Sequence, residues 1–283
     1  MSNLIGNLYI VATPIGNLKD ISARALTILA EVDTIVAEDT RHTKRLLEHY
    51  NISAHLTSLH IHNESRKSQF LIDKVTQGQS IALVSDAGTP LISDPGFPLV
   101  RNARQAGINI IPVAGCCALI AALSASGLPT DRFCFEGFLP AKKEARLNNL
   151  KNLNSEDRTL CFYEAPHRLL DSLNSMQIAF GGDRIVVVAK EISKSYERFF
   201  YGNFTKVISE LVCQPEVIRG EFVIMVEGAK PKDHDVQQIE SLMKILLNEK
   251  LPTKQAANIT MQVLGCKKKE AYQIGLSLQD KNH

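Results

Sequence analysis

The chain has 283 residues, of which 45% are hydrophobic and 22% charged, with 16 glycines and a formal net charge of +2. That length suits two compact α/β domains better than one minimal domain, and the composition excludes disorder, low complexity and a fixed-period repeat. No uninterrupted apolar run reaches the roughly 18 residues of a membrane span, and the start Met1-Ser2-Asn3-Leu4 lacks signal-peptide regions, so a cytoplasmic protein with no membrane partner is expected. The small net charge does not advertise a nucleic-acid binder, and local patches must carry any such argument.

Apolar β-rich runs alternate with helix-period segments from the beginning. Leu8–Thr13, Thr34–Glu38, Ser80–Ser85 and Ile108–Val113 read as strands, and Ser22–Ala30, Thr40–Tyr50, Ser65–Thr76, Phe97–Ala106 and Cys117–Ser126 as helices. Strands apolar on consecutive residues are buried on both faces, so the rhythm predicts a mostly parallel sheet covered by helices. Gly127-Leu128-Pro129-Thr130 breaks the pattern and closes a first α/β domain, residues 1–127. Beyond it the strands Arg132–Phe138, Thr159–Glu164, Arg184–Glu191, Glu197–Tyr201 and Glu221–Val226 have fewer helices between them, which predicts a mixed or antiparallel sheet in an α+β domain, 128–230. From Pro231 the composition turns polar, and Val236–Lys250, Lys254–Leu264 and Lys268–Leu278 read as a small helical appendix, 231–283. Its last two helices and glycine-bearing turn superficially match a helix-turn-helix, although a plain helical hairpin is the commoner arrangement.

Three loops follow buried strands of the first domain. Ala12 to Asp20 carries Pro14 and Gly16; Ser85 to Gly96 holds two glycines and two prolines in twelve residues; Val113 to Ala118 is built of small side chains. Ligands of open α/β sheets sit at the carboxyl ends of strands, and a Pro/Gly-rich backbone lets main-chain groups approach them closely, although tight turns and close packing alone give the same pattern. Asp86 and Asp94 read either as ligands of hydroxyls or a cation or as caps and Asx-turns. Neither G-x-G-x-x-G nor G-x-x-x-x-G-K-S/T occurs, which argues against a nicotinamide enzyme or a P-loop NTPase. In the second domain Tyr163 to Arg168 and Ala189 to Lys194 put polar groups just past apolar strands; adjacent Lys190 and Glu191 face opposite sides, so only one can enter a cleft. His60 and His62 share a strand face but lack a third ligand, and the six cysteines show no C-x-x-C and read as small core residues, so no metal is expected.

At these segments the sequence resembles the tetrapyrrole methylase superfamily, and in detail its small-subunit ribosomal RNA methyltransferase I family. The carriers are Thr13-Pro14-Ile15-Gly16-Asn17-Leu18, Ala37 to Thr43, Asn63-Glu64, the whole Ser85 to Gly96 loop, Ser126 to Pro129, Glu136 to Pro140 and Tyr163 to Arg168, within residues 7 to 228. The resemblance implies a two-domain tetrapyrrole-methylase-like fold with S-adenosylmethionine (S-adenosyl-L-methionine) folded into the cleft between domains. It also implies a homodimer, and 2′-O-methylation of a cytidine in the decoding region of 16S ribosomal RNA, presented as free RNA or as the 30S subunit. By position, the cofactor residues it implies are Pro14, Asp86, Gly88, Thr89, Pro90, Leu91, Ile92, Gly115, Ala118, Tyr163 and the main chain near Ala189. One departure is visible: related proteins usually carry Pro-Gly-Pro where this chain has Ala114-Gly115-Cys116, which gives the unfolded loop more freedom.

Methyl transfer from a sulfonium is an in-line displacement, so the protein mainly holds donor and acceptor close and aligned. A ribose hydroxyl is a weak nucleophile that a base or a cation would help, and Lys190, Glu191, Asp39 and Arg41 are the candidates, each equally readable as a structural ion pair. RNA contact is expected from Arg41, His42, Lys44 and Arg45, from Lys142, Lys143 and Arg146, and from Lys267, Lys268 and Lys269, although each cluster alone also reads as a solvated face. Two other readings stay open: a methylase of a tetrapyrrole or other small molecule, and a non-catalytic RNA-binding or assembly protein on the same fold.

Overall fold

Runs of consecutive apolar residues build the first sheet, as strands covered on both faces require. In the computed structural model, which describes residues 5–60, 64–230 and 236–280, they form β1 (Asn7–Val11), β2 (Thr34–Ala37), β3 (Leu56–Ser58), β4 (Ile81–Val84) and β5 (Asn109–Val113). All pair in parallel, in the order β3-β2-β4-β1-β5. The intervening helices are α1 (Ala23–Glu31), α2 (Thr40–His49), α3 (Glu64–Thr76) and α4 (Phe97–Gln105), and α5 (Ala118–Ser124) follows β5. Side chains set two of the starts: the Ser22 hydroxyl accepts the Ala25 N–H at 3.1 Å, and the Asp39 carboxylate accepts that of Arg41 at 2.8 Å. The sequence reading lacks β3, three half-buried residues at the sheet edge whose pattern is too short to register.

The second sheet comprises β6 (Phe133–Phe138), β7 (Thr159–Glu164), β8 (Ile185–Lys190), β9 (Arg198–Asn203) and β10 (Phe222–Val226), in the order β6-β7-β10-β8-β9. Only β6 and β7 run parallel, which makes it the mixed sheet expected. On one face α6 (Lys143–Asn152), α7 (Leu169–Phe180) and α8 (Phe204–Cys213) bury Leu150, Leu173 and Val207 against Phe162, Val188 and Ile224. The other face is covered by α5, whose Leu119, Ala122 and Leu123 pack on Cys161, Val187, Ala189, Val223 and Met225. A helix from the first strand-helix succession therefore roofs the second sheet, and residues 1–228 form one compact unit.

Residues 229–283 form the other unit. Its helices α9 (Val236–Asn248), α10 (Thr253–Leu264) and α11 (Lys268–Asp280) enclose Ile239 and Met243 among Ala256, Ala257, Cys266 and Ala271, whose small side chains let the helices approach closely. Of the six cysteines only Cys161 and Cys266 are core residues; Cys213 is exposed at the last position of α8, and Cys116, Cys117 and Cys134 are half-buried.

Arg146, read from the sequence as an RNA contact, is corrected by the fold. It is 4% exposed on the inner side of α6, where its Nε donates to the Ser175 hydroxyl at 3.0 Å and an Nη to the Ala141 carbonyl at 3.2 Å, tying α6 to α7. Reaching a phosphate would strip these partners inside the core. Arg146→Ala should lower unfolding stability by about 1–3 kcal/mol in a denaturant titration and leave RNA affinity unaltered.

Candidate functional site

Three loops leave the carboxyl ends of the neighbouring strands β4, β1 and β5, the edge at which open α/β sheets bind ligands. Backbone groups lock them together. Thr13 and Gly88 exchange N–H to carbonyl bonds at 2.9 and 3.1 Å, and the Thr89 hydroxyl donates to the Cys116 carbonyl at 2.9 Å. The Ala114-Gly115-Cys116 turn, which lacks proline rings, is held by that bond and by the Cys116 thiol on the Asp20 carbonyl at 3.3 Å. Its glycine is required by space, since a Cβ at Gly115 would lie 2.9 Å from the Cβ of Ala12.

The loop after β4 is strained. Leu91 and Ser93 take φ of 72° and 70°, and Gly96 takes 133°, where a Cβ would also stand 2.8 Å from Leu83 Cδ2. Non-glycine residues in this region cost about 1–3 kcal/mol each and persist where their surroundings over-determine them. Here the restraint is Glu64, 8% exposed at the start of α3, whose carboxylate accepts the Gly96 N–H at 2.6 Å.

Within the first unit these loops and the second sheet enclose a cavity of about 420 Å³. Ile15, Gly88, Thr89, Ile92 and Ala118 line it from one side, and Phe138, Tyr163, Ile192 and Val223 from the other. Tyr163 is fixed by the Leu119 N–H on its hydroxyl oxygen at 3.3 Å and by an edge contact to Phe135 at 4.9 Å between centroids; burial pushes its phenol above the ordinary tyrosine range. Ser193 donates its hydroxyl to the Asp20 carboxylate, joining a loop of the second sheet to the loop after β1.

Five carboxylates line the cavity, those of Glu38, Asp86, Asp94, Glu164 and Glu221, and among the described residues no lysine, arginine or histidine does. Asp86 accepts the Asp39 N–H at 3.1 Å. Glu164, 2% exposed, accepts from the Ser172 hydroxyl and from the Ala165 N–H at 2.9 Å, and pairs with Arg168 at 3.4 Å. Glu221 pairs with Lys194 at 3.0 Å. Burial pushes Asp94 up to about 6, reinforced by Glu38 and Asp86 and opposed by a hydrogen bond from Ser85. Burial also raises Glu38, with further repulsion from Asp86 and Asp39.

Of the residues expected to hold a cofactor, Asp86, Gly88, Thr89, Ile92, Ala118 and Tyr163 line this cavity. Pro14, Pro90, Leu91, Gly115 and Ala189 do not: Pro14 and Pro90 are buried, Leu91 packs on the core of the first sheet, Gly115 faces Ala12, and Ala189 is buried beneath α5. None of the four catalytic candidates lines it either. Arg41 and Asp39 are forked onto each other at 2.7–3.2 Å, which holds the Asp39 carboxyl well below the usual carboxylate range. Burial would raise Glu191, but the Lys194 ammonium at 2.9 Å and the Glu221 N–H at 3.1 Å bring it below the ordinary value. Lys190, 8% exposed, has the strand parity of Val186 and Val188, which pack in the core under α7 and α8. Glu38 and Glu221 were missed from sequence; Glu38 sits just past a buried strand, the same signal that marked the three loops.

Arg41, His42, Lys44 and Arg45 are exposed on α2, which begins beside Glu38, and Lys142 and Lys143 are exposed at the start of α6. In the second unit Lys267, Lys268 and Lys269 are exposed where α11 begins. His62 and Asn63 lie outside the described residues. Among the described residues no group of three or more His, Cys, Asp or Glu is arranged to hold a metal ion, and no helix is long and apolar enough to cross a membrane.

A family model described as Tetrapyrrole (Corrin/Porphyrin) Methylases matches residues 7–208, which makes the chain a methyltransferase of that class. Crystal structures of diphthine synthase (TM-score 0.60, 15% identity, 79% of this chain and 90% of that one) and of the methyltransferase CobJ (0.59, 18%, 79% and 95%) share the fold. So does uroporphyrin-III C-methyl transferase from Thermus thermophilus complexed with S-adenyl homocysteine (0.52, 16%, 78% and 97%). Proteins called ribosomal RNA small subunit methyltransferase I from Pasteurella multocida strain Pm70 and from Haemophilus influenzae are each 51% identical, across 98% and 99% of this chain and 99% and 100% of their own. The chain belongs to that family. A model described as RsmI C-terminal HTH domain matches residues 233–279, which favours the helix-turn-helix reading of the last helices over a plain hairpin.

The raised Asp94 has a consequence for stability. Its folded carboxyl holds a proton more tightly than the 3.8 of an ordinary aspartate, so this group's contribution to stability falls as pH rises from about 4 to about 6 and stays unfavourable above. Asp94→Asn should therefore raise the melting temperature relative to the parent at pH 8, with the difference vanishing at pH 4 in thermal scans.

Proposed function

We propose that this protein transfers a methyl group from S-adenosylmethionine to the 2′-hydroxyl of a cytidine in 16S ribosomal RNA. The observation that carries the reading is the cavity at the strand ends, walled by the strained loop after β4 and lined by five acids and, among the described residues, by no lysine, arginine or histidine. Its volume of about 420 Å³ falls within the ordinary range for small-molecule sites. Ile15, Ile92, Phe138 and Tyr163 offer apolar surface for a flat ring system, while the carboxylates suit the ammonium, sulfonium and ribose hydroxyls of the same molecule. When bound, that cofactor supplies an electrophilic methyl group on a positively charged sulfur.

The chain's own residues do the rest. Thr13, Gly88 and Thr89 fix the loop backbone, Glu64 holds its far end, and Tyr163 closes the opposite wall and excludes water. The exposed basic residues of α2 start at the cavity rim, where they can neutralise phosphates and present a ribose to the site; Lys142, Lys143 and Lys267 to Lys269 extend that capacity. Arg41 is 87% exposed but forked onto Asp39, so His42, Lys44 and Arg45 are the residues of α2 with the freer charge. A homodimer acting in the cytoplasm belongs to the same proposal, the first on family resemblance and the second because the ribosomal substrate resides there.

Incubation of the protein and methyl-labelled cofactor with undermethylated 30S subunits, with free 16S RNA and with small tetrapyrroles tests the assignment. Label should enter a cytidine ribose of the RNA. Label in the tetrapyrrole pool, or cofactor binding with no transfer to either RNA form, contradicts it.

A further inference from the structure

We propose that Asp94 is the base that takes the proton of the ribose hydroxyl during methyl transfer, an assignment that rests on the function proposed above. Among the described residues the cavity wall holds no lysine, arginine or histidine, so the titratable groups on hand are five carboxylates, Cys117 and Tyr163. Tyr163 is held protonated by burial and its hydroxyl oxygen already accepts the Leu119 N–H. Two of the carboxylates are ion-paired, Glu164 with Arg168 and Glu221 with Lys194, and Asp86 holds the turn after β2 through the Asp39 N–H. Glu38 and Asp94 are left, and Glu38, just past β2, is repelled by Asp86 and Asp39 and attracted by His60.

Asp94 differs from Glu38 in how it is presented. It follows Ser93 in the left-handed region and precedes the Gly96 N–H anchored by Glu64, so its backbone is pinned on both sides. It lines the same cavity as Tyr163 of β7, with Ser85 beside it. The groups facing it are Glu38 at the end of β2, Asp86 and Ser85 after β4, and Tyr163 of β7; Glu164 and Glu221 line the same cavity from the second sheet. In this setting its carboxyl titrates near 6, which leaves it ionised at neutral pH yet more basic than an ordinary aspartate, the compromise a general base requires. In the step, the hydroxyl oxygen forms a bond to the methyl carbon, the carbon–sulfur bond breaks with its electron pair remaining on sulfur, and the hydroxyl proton passes to the Asp94 carboxylate and then to solvent.

Single-turnover methylation of undermethylated 30S subunits, followed from pH 5.5 to 8.5, tests this with the parent, Asp94→Asn and Glu38→Gln. The parent rate should fall about tenfold per pH unit below a midpoint no higher than about 6 and be flat above 7. Asp94→Asn should lose at least about 100-fold in rate at pH 7.5, lack the acid limb, and bind S-adenosylhomocysteine within about tenfold of the parent by calorimetry. In Glu38→Gln the acid limb should move to lower pH, because one repelling charge is gone. An Asp94→Asn rate within fivefold of the parent, an acid limb that survives in that variant, or a larger loss in Glu38→Gln overturns the assignment. Should Asp94→Asn fail to fold by circular dichroism, a parent profile with no acid limb overturns it equally. A parent that methylates no RNA at all contradicts the proposed function instead.

Discussion

The chain leaving β4 has to turn away from the sheet edge, expose a carboxylate and re-enter as α4 within twelve residues, and it does so by holding Gly88, Leu91, Ser93 and Gly96 at positive φ. Everything at the site depends on that backbone staying where it is. Its strain, of the order of 1–3 kcal/mol per non-glycine residue, is offset by restraints drawn from four other segments. They are Thr13 on Gly88, the Cys116 carbonyl on Thr89, buried Glu64 on Gly96, and the first core around Leu91.

A second constraint comes from α5. By chain order it follows the parallel sheet, yet its apolar face is spent on the mixed sheet. The cavity is consequently walled by elements that share packing, with Tyr163 anchored on the first turn of α5 through the Leu119 N–H. Its polarity is one-sided. Burial and mutual repulsion of the carboxylates raise Glu38 and Asp94, a cost in stability that a cationic ligand would relieve.

Much of this architecture was legible in the residues. Apolar runs, aliphatic in most strands and aromatic in β6 and β9, announced every strand except β3, whose Leu56–Ser58 is shorter than any usable period, and Pro/Gly-bearing loops past the first sheet's runs marked the three that build the cavity. What escaped notice depended on contacts between distant segments. Asp39 and Arg41 look like available chemistry until they are seen bound to each other, and Glu191 until Lys194 is found across it. Arg146 carries the same charge as Lys142 and Lys143, but it falls on the inner side of α6, and no local pattern distinguishes a guanidinium that satisfies Ser175 from one that meets solvent. Lys190 was readable in part: alternation required that it and Glu191 diverge, and only the packed sheet tells which core each side serves.

The account stands on a methyl donor seated between the left-handed loop and the Tyr163 wall, and a crystal structure with S-adenosylhomocysteine bound examines that directly. It should place the adenosyl group against Gly88 to Ile92 and Tyr163, with the sulfur within reach of the Asp94 side. Density for the ligand anywhere else on the chain, or an intact cavity that stays free of it at saturating concentration, would contradict the account.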